Sequence, residues 1–314
     1  MNLSSISAAL TMLDLRSCLI SRDNRLVLEH YRTPNTATEL AKINSCTKSV
    51  LSALICIAMD KGLLPQPDAP LTLFYPQLSL DPDHRKTEIT LEHLLTMSAG
   101  FNWTEFGGQN SFPRMTRSPD WVRFVLEQPM SDTPGARMVY NSGVSQLLSA
   151  ILRQAAGMST AKFAEHYLFG PLDIKAYEWE VDPQGVHTGG FGLKLRPSDL
   201  LKLGQLYLQE GMWEHTKLIF PERVNRSTET ALHVEAPYRG GYGWHWWTDV
   251  YTSAAQESSA ASQAYFYARG YGGQFVYIMP ELSTVVVLTE DQRRKKKPPV
   301  DVFREIIAPA LLAP

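Results

Sequence analysis

The 314-residue chain has only 3 Cys and no large excess of charge of either sign. Three cysteines without regular spacing exclude a disulfide-stapled scaffold and a multi-cysteine zinc site. The 30 Lys and Arg residues nearly balance the 32 Asp and Glu residues, which gives a formal net charge of −2. Because no basic excess is available to attract a polyanion, we expect no nucleic-acid partner.

Long apolar runs are missing as well. The most apolar segment, Val50–Met59, is well short of the roughly 20 residues that cross a bilayer, so we expect a buried helix and no membrane partner. The N-terminal segment lacks a basic region, so we expect no signal peptide and a cytoplasmic protein with reduced cysteines. The basic run Arg293–Lys297 is interpreted as a solvated loop, with a membrane or polyanion patch as the alternative.

Several motifs of well-known enzymes are absent. The sequence contains no G-x-S-x-G, no Walker A loop, no G-x-G-x-x-G after a strand and no H-E-x-x-H. The 8 His residues are scattered along the chain, so a metal site would need ligands from distant segments. We therefore expect neither a metal nor a cofactor.

The order of predicted elements indicates an α+β fold. Strands are predicted at Asp14–Ile20, Leu26–Tyr31, Tyr242–Val250, Ala264–Arg269, Gln274–Met279 and Thr284–Thr289. Helices are predicted at Ser45–Lys61, Leu91–Met97, Pro119–Gln128, Val144–Ala156, Thr160–Leu168, Pro197–Gln209 and Val300–Leu312, with a loop at Ala254–Ala261. The pattern favours an antiparallel sheet flanked by helices, with a mostly helical subdomain inserted. We expect one subdomain from 1–62 and 205–314, a second from 63–204, and a cleft between them.

Ser-x-x-Lys occurs twice, at Ser45–Lys48 and at Ser159–Lys162. The Ser and Lys content predicts about one such match by chance, so the motif alone decides nothing. Ser159 precedes a polar, amphipathic helix, and we expect it to be an ordinary N-cap beside a solvated lysine.

The surroundings of Ser45 are different, because it opens a helix that is apolar on nearly every face and is typical of a protein's centre. Lys48 lies one turn along on the same side. Burial and the positive helix N-terminus both lower the pKa of such a lysine, which can then take the proton of Ser45 and activate it as a nucleophile. The alternative is a lysine that snorkels beside a capping serine.

Two further segments carry residues of interest. Tyr140 lies in a loop before an apolar helix, where its phenol either relays protons or packs as a half-buried aromatic. The segment Ala268–Gln274 joins two strands and contains three glycines. These glycines either let the backbone approach a ligand or form a hairpin or bulge.

Five segments, taken together in their order along the chain, resemble the serine β-lactamase and penicillin-binding-protein-like hydrolases, in their class C and esterase branch. They are NSCTKSVLSALICIAMDKGLL, ITLEHLLTMSAGF, MVYNSGVSQLLSAIL, GLKLRPSDLLKLGQLYLQEGMW and GYGWHWW. The first is similar to the family's Ser-x-x-Lys helix and the third to its Tyr-x-Asn motif. The likeness runs from about Leu19 to Thr289 and implies a β-lactamase/transpeptidase-like fold.

The resemblance also implies roles for individual residues. Ser45 would be the acylated nucleophile and Lys48 its proton acceptor. Tyr140 would be the second base, which passes a proton to the leaving group and later activates the hydrolytic water. The oxyanion hole would be formed by the backbone N–H groups of Ser45 and Tyr271.

Two departures from the family pattern concern the substrate. Ser142 stands where the family has an asparagine, and Asn141 is shifted by one position. The family also has a motif of Lys or His followed by Thr or another residue and then Gly, and here it is Ala268-Arg269-Gly270, so Ala268 stands where the family has the cation. Arg269 substitutes for that cation if it points into the cleft. Both departures resemble carboxylesterases and 6-aminohexanoate-dimer hydrolase, and the loss of the cation at Ala268 argues against β-lactam and D-alanyl-D-alanine substrates.

We therefore expect acyl-enzyme hydrolysis of a small ester or amide. The substrate-binding candidates are Ser142, Arg269, Gly270, Trp103 and Trp244, and Phe106 and Trp246 are further aromatics that are equally suited to the pocket or the core. The alternatives are a β-lactamase or D-alanyl-D-alanine carboxypeptidase, a penicillin-recognising module that is acylated without turnover, and a partner-binding descendant of the fold. The oligomeric state stays open.

Overall fold

The structure is a computed structural model that describes residues 3–252, 262–291 and 297–312. The predicted loop Ala254–Ala261 and the basic run Arg293–Lys297, apart from its last residue, lie outside these residues. The α-helices are α1 Leu3–Thr11, α2 Thr47–Asp60, α3 Leu91–Leu95, α4 Phe112–Met115, α5 Trp121–Leu126, α6 Ser142–Ala156, α7 Thr160–Ala164, α8 Pro197–Leu208, α9 Pro221–Thr228, α10 Pro299–Val302 and α11 Ala308–Leu312. Turns of π-helix follow α7 at Glu165–Phe169 and α10 at Phe303–Ile307. Short 3-10 turns occupy Pro34–Ala37, Asn44–Cys46, Leu71–Leu73, Pro76–Leu80, His84–Glu88 and Pro280–Leu282.

Eight of the strands form one antiparallel sheet. They are β1 Ser17–Arg22, β2 Arg25–Tyr31, β8 Leu232–His233, β9 Gly241–Tyr242, β10 Trp247–Thr252, β11 Ser262–Gly270, β12 Gln274–Met279 and β13 Thr284–Thr289. Their order across the sheet is β2-β1-β13-β12-β11-β10-β9-β8. Smaller sheets are formed by β3 Ala41–Lys42, β4 Glu178–Trp179 and β5 Leu193–Leu195, and by β6 Met212–Trp213 with β7 Thr216–Lys217.

The central strands are covered on both faces. Every residue of β12 and β13 is buried, and side chains of successive residues point to opposite faces of a sheet. Val276 faces α8, where a Cβ at Gly204 would lie 2.9 Å from it. Tyr277 faces the C-terminal helices, where its ring stacks on Phe303 with the centroids 3.7 Å apart. The sheet is therefore the middle layer between two layers of helices.

The helix predicted to be buried is α2. All of its residues from Thr47 to Met59 are buried, and it packs against α6, α9 and β11. A helix whose every face contacts protein explains the nearly unbroken apolar sequence. Among the described residues, no helix combines the length and apolar character needed to span a membrane.

The subdomain boundaries stay a prediction. Residues 63–196, between α2 and α8, contain mostly helical pieces, 3-10 turns and loops, in keeping with the predicted insertion. Helix α8 spans the predicted boundary at 204–205 and packs against β1, β12 and β13.

The prediction of one strand over Tyr242–Val250 is wrong. Strands β9 and β10 pair as an antiparallel hairpin, and the turn between them places His245 at φ +59°. The turn is buried against α2, where the hydroxyls of Ser49 and Ser52 donate to the carbonyls of His245 and Trp244 at 2.7 and 2.6 Å. The apolar pattern of the segment thus reflects a buried turn.

Candidate active site

Ser45 lies in the 3-10 turn Asn44–Cys46, which continues directly into α2. Neither the turn nor α2 has a side-chain hydrogen bond at its N-cap, so Ser45 does not cap the helix. The turn is held from outside instead, because the Asn44 amide donates to the Tyr271 carbonyl at 2.7 Å. The capping interpretation of Ser45 is therefore wrong, and its hydroxyl is left for other contacts.

Lys48 is buried, with 2% of its surface exposed, so it does not snorkel to solvent. Its Nζ lies 3.3 Å from Ser45 Oγ, 2.9 Å from Ser142 Oγ and 2.8 Å from the Gly190 carbonyl oxygen. A Cβ on residue 190 would come within 3.0 Å of Nζ, so glycine is what allows the backbone this close. The amine thus contacts three oxygens from three segments of the chain.

The electrostatics of Lys48 suit proton transfer near neutral pH. Burial lowers its pKa to about 8, against opposing contributions from Glu105 and Cys46. The charge of Lys48 also acts on His245. Burial, and to a smaller extent this charge, lower the pKa of His245 to about 3. Its Nδ1 donates to the Leu95 carbonyl at 2.8 Å and its Nε2 accepts from Ser145 at 2.9 Å, which fixes a neutral tautomer.

Tyr140 lies beside the same pair. Its ring centroid is 4.8 Å from Lys48 Nζ, and the ring stacks on Trp247 at 5.8 Å. Burial raises the pKa of Tyr140 far above its ordinary value and the charge of Glu105 raises it further, while a hydrogen bond with Ser45 opposes the rise. The phenol is therefore neutral at rest, which suits the predicted transfer of a proton to the leaving group, and the role of Tyr140 stays a prediction.

A narrow cavity of about 130 Å³ opens on Ser45. It is lined by Ser45, Phe106, Tyr140, Tyr238, Trp247, Arg269 and Tyr271. Arg269 faces this cavity, and its guanidinium carbon lies 5.5 and 5.8 Å from the ring centroids of Tyr238 and Trp247. Ala268 is fully buried and does not line it. The role of Arg269 as a substitute for the missing cation stays a prediction.

The glycine-containing segment after β11 lies against the start of α2. A Cβ on Gly270 would collide with the Ile43 carbonyl oxygen, so the close approach requires glycine here. This contact and the Asn44–Tyr271 hydrogen bond bring the two peptides expected to form an oxyanion hole to neighbouring positions. The role of the backbone N–H groups of Ser45 and Tyr271 stays a prediction.

Three of the aromatic candidates lie outside the cavity. Trp103, Trp244 and Trp246 are buried, and none lines the space in front of Ser45. The indole N–H of Trp103 donates to Glu105 at 2.9 Å, and that of Trp244 donates to Glu92 at 3.3 Å. Phe106 is 73% exposed and does line the cavity. The large aromatic surfaces of the three tryptophans serve the core.

The two residues after Tyr140 have separate tasks. Asn141 is the N-cap of α6, and its side chain accepts from the backbone N–H groups of Gly143 and Val144 at 2.7 and 3.2 Å. Ser142 contacts Lys48 through Oγ, and both its hydroxyl and its backbone N–H donate to the Glu105 carboxylate. Ser142 thus stands at the site in the position where the family motif has asparagine.

Sequence reasoning missed four residues of the site: Glu105, Gly190, Tyr238 and Trp247. All come from loops or strand ends far from Ser45 in sequence, so no local spacing connects them to it. A signal for Glu105 was its place between Trp103 and Phe106, in a loop that already held two candidates. Among the described residues, no group of three or more His, Cys, Asp or Glu side chains is placed to hold a metal ion.

The match to a known family covers most of the chain. The model of the family described as "Beta-lactamase" matches residues 17–306. The chain therefore belongs to the beta-lactamase family, whose members are serine hydrolases. The family predicted from the sequence is confirmed.

Solved structures with the same fold belong to proteins that are described as different kinds of hydrolase. A Bacillus anthracis protein assigned as a 6-aminohexanoate-dimer hydrolase is 17% identical with a TM-score of 0.77, covering 97% of this chain and 81% of that one. The class C beta-lactamase of Rhodobacter sphaeroides is 15% identical with a TM-score of 0.68, covering 99% and 97%. EstCE1, a hydrolase with promiscuous acyltransferase activity, is 14% identical with a TM-score of 0.77, covering 99% and 97%. The predicted β-lactamase/transpeptidase-like fold is confirmed.

Proposed function

We propose that the protein hydrolyses a small ester or amide through an acyl-enzyme on Ser45, in the manner of a carboxylesterase or amidase. The observation that carries this proposal is the buried Lys48 amine, 3.3 Å from Ser45 Oγ, with a pKa lowered to about 8. An amine with that pKa is partly neutral at physiological pH, so it can accept a proton.

The residues divide the proton transfers among them. Neutral Lys48 takes the proton of Ser45 as Oγ forms a bond to the carbonyl carbon of the substrate. The neutral phenol of Tyr140 then donates its proton to the leaving oxygen or nitrogen, and the Lys48 ammonium restores it. A water molecule attacks the acyl-enzyme in the second half, with the same groups acting in reverse order.

The lining of the cavity supports a small substrate. Five of its seven residues are aromatic, and its volume of about 130 Å³ suits a short acyl group. The fold relatives include one protein described as a 6-aminohexanoate-dimer hydrolase and one described as a hydrolase with promiscuous acyltransferase activity, which agrees with this class. The cytoplasmic location expected from the sequence stays a prediction.

A specific observation favours a second candidate, a β-lactamase or D-alanyl-D-alanine carboxypeptidase. Arg269 faces the cavity, where its charge can attract a substrate carboxylate. The same guanidinium lies over two aromatic rings, however, and a cation held there is less free to meet a ligand. We therefore place the uncharged ester or amide first.

The test is a panel of p-nitrophenyl esters from acetate to octanoate, short linear amides and nitrocefin. We expect the shortest esters to give the highest kcat/KM, and Ser45→Ala to abolish turnover. Ser159→Ala is the matched control from the second Ser-x-x-Lys motif and should keep full activity. Unchanged ester hydrolysis in Ser45→Ala would refute the mechanism, and nitrocefin turnover above that of every ester would favour the second candidate.

A penicillin-recognising module that does not turn over has a separate signature. A fluorescent penicillin or fluorophosphonate would label Ser45, yet no ester of any chain length would be hydrolysed. That result would retain Ser45 as the nucleophile and replace hydrolysis by stable acylation.

A further inference from the structure

Glu105 binds Ser142 through both oxygens of its carboxylate. Oε2 accepts from the Ser142 backbone N–H at 3.0 Å and from the Trp103 indole at 2.9 Å, and Oε1 accepts from the Ser142 hydroxyl. A carboxylate has no proton to give, so the direction of the last bond is fixed. The single proton of the Ser142 hydroxyl is committed to Glu105, and its oxygen faces Lys48 as an acceptor.

The same reasoning fixes the proton positions on Lys48. As an ammonium, Lys48 has three N–H groups for three oxygens: Ser45 Oγ, Ser142 Oγ and the Gly190 carbonyl. A neutral amine keeps two N–H groups and gains one lone pair. Of these three oxygens, the Gly190 carbonyl has no proton and the Ser142 proton is held by Glu105, so among them only Ser45 can donate to the lone pair.

We propose that Glu105 is a positioning residue for the general base: by holding the Ser142 proton, it directs the lone pair of neutral Lys48 at Ser45. This inference rests on the proposed function and adds to it a residue that the Ser-Lys-Tyr set does not contain. Without the carboxylate, the Ser142 hydroxyl can turn and donate to Lys48, and because it lies 2.9 Å from Nζ, against 3.3 Å for Ser45 Oγ, it becomes the preferred partner of the lone pair.

The charge of Glu105 has a second effect on the same amine. The titratable groups facing Lys48 are Glu105, Cys46, Tyr140 and His245. Burial raises the pKa values of Cys46 and Tyr140 and lowers that of His245, so these three are neutral near pH 7. The negative charge of Glu105 raises the pKa of Lys48, and its removal must lower that pKa further.

Orientation and charge therefore change the rate in ways that can be separated. Loss of orientation reduces kcat at every pH, because the Lys48 lone pair is directed at Ser45 in a smaller fraction of the enzyme molecules. Loss of charge moves the acid limb of the pH profile to lower pH, because Lys48 gives up its proton more readily. A purely structural role for Glu105 would lower the amount of folded enzyme and leave the acid limb in place.

The experiment compares Glu105→Gln, Ser142→Ala and the double variant, using the best ester from the panel and the rate of fluorophosphonate labelling. Glu105→Gln should lower the plateau kcat by about tenfold to a hundredfold with little change in KM, and should move the acid limb down by about one pH unit. The double variant should have the plateau of Ser142→Ala, because Glu105 orients Lys48 through that hydroxyl.

The matched control is Glu92→Gln, since Glu92 also accepts from a tryptophan indole, but its carboxylate binds Arg226 and not Ser142. It should leave kcat and the acid limb unchanged. A folded Glu105→Gln enzyme with a wild-type plateau and an unshifted acid limb would overturn the inference, as would losses that multiply in the double variant.

Two further results keep the test decisive. If Glu105→Gln does not fold, Glu105→Asp takes its place: the shorter side chain keeps the charge but draws the carboxylate back from the Ser142 hydroxyl, so the plateau should fall, and a wild-type plateau there would also overturn the inference. Ser45→Ala separates this inference from the proposed function. If Ser45→Ala retains activity, the proposed function has failed; if it is inactive and Glu105→Gln behaves as wild type, only the role of Glu105 has failed.

Discussion

The two Ser-x-x-Lys motifs of this chain have the same residues at the same spacing and opposite surroundings. Ser159 caps α7, and its hydroxyl accepts the backbone N–H of Lys162 at 3.2 Å. The Lys162 side chain is 56% exposed and pairs with Glu165 at 3.1 Å. Lys48 is 2% exposed, and its amine contacts the oxygens of two serines and a backbone carbonyl. The expected N-cap with a solvated lysine at the second motif is confirmed.

The difference between the motifs lies in desolvation and in the partners of the amine. A lysine in water beside a carboxylate is stabilised as an ammonium. A lysine in a buried helix loses hydration, and neutral oxygens replace only part of it, so its pKa decreases. The lowered pKa of Lys48 thus follows from the burial of α2 and not from the four-residue motif.

The largest expected difference between the motifs comes from removing each lysine. Lys48→Met should lower kcat/KM for the best ester by about a thousandfold, because the general base is lost. Lys162→Met should leave kcat/KM within about twofold of wild type. Steady-state kinetics of the two variants, with thermal unfolding to verify that both are folded, measures this contrast.

Equal losses in the two variants would contradict the distinction between the motifs. Activity retained in a folded Lys48→Met enzyme would also contradict the proposed base. Methionine is chosen because it fills the buried space without an amine.

A second prediction concerns pH. Lys48 must be neutral to accept a proton, so kcat/KM should rise with pH and level off above the lowered pKa of about 8. Below that value it should fall about tenfold per pH unit, as the ammonium becomes the main form. An exposed lysine of ordinary pKa, about 10.4, would place the limb more than two units higher. A pH series of kcat/KM between 5.5 and 10 decides between these positions.

The smallest effect is on stability. Ser159→Ala removes an N-cap and should cost about 1 kcal/mol of the free energy of unfolding. Ser45→Ala removes no cap, so we expect a change of less than about 0.5 kcal/mol. Urea unfolding of both variants measures the pair, and a larger loss in Ser45→Ala would show that the Ser45 hydroxyl supports the fold.

The sequence predicted those parts of the fold that local pattern determines. The buried α2, the helices α6 and α8 and the last three strands each bury a long apolar face, which leaves a clear periodicity. Helix α1 was not predicted, although Ile6 and Leu10 are buried. The buried turn between β9 and β10 was predicted as a strand, because its tryptophans pack in the core while the backbone reverses.

Only those site residues that lie within sequence motifs could be predicted. Ser45, Lys48 and Tyr140 lie in segments with a family pattern, and the structure brings them together. Glu105 and Gly190 reach Lys48 through contacts between loops far apart in sequence. Such contacts depend on the path of the folded chain, and no spacing within one segment encodes them.

The central claim, that the first motif and not the second is the reactive one, has a direct test. Intact-mass spectrometry of the wild-type protein treated with a fluorophosphonate should show one adduct, and peptide mapping should place it on Ser45. Its rate of formation should increase as the pH is raised toward 8, and Lys48→Met should suppress it. An adduct on Ser159, or a Ser45 adduct that forms at the same rate in Lys48→Met, would contradict the account.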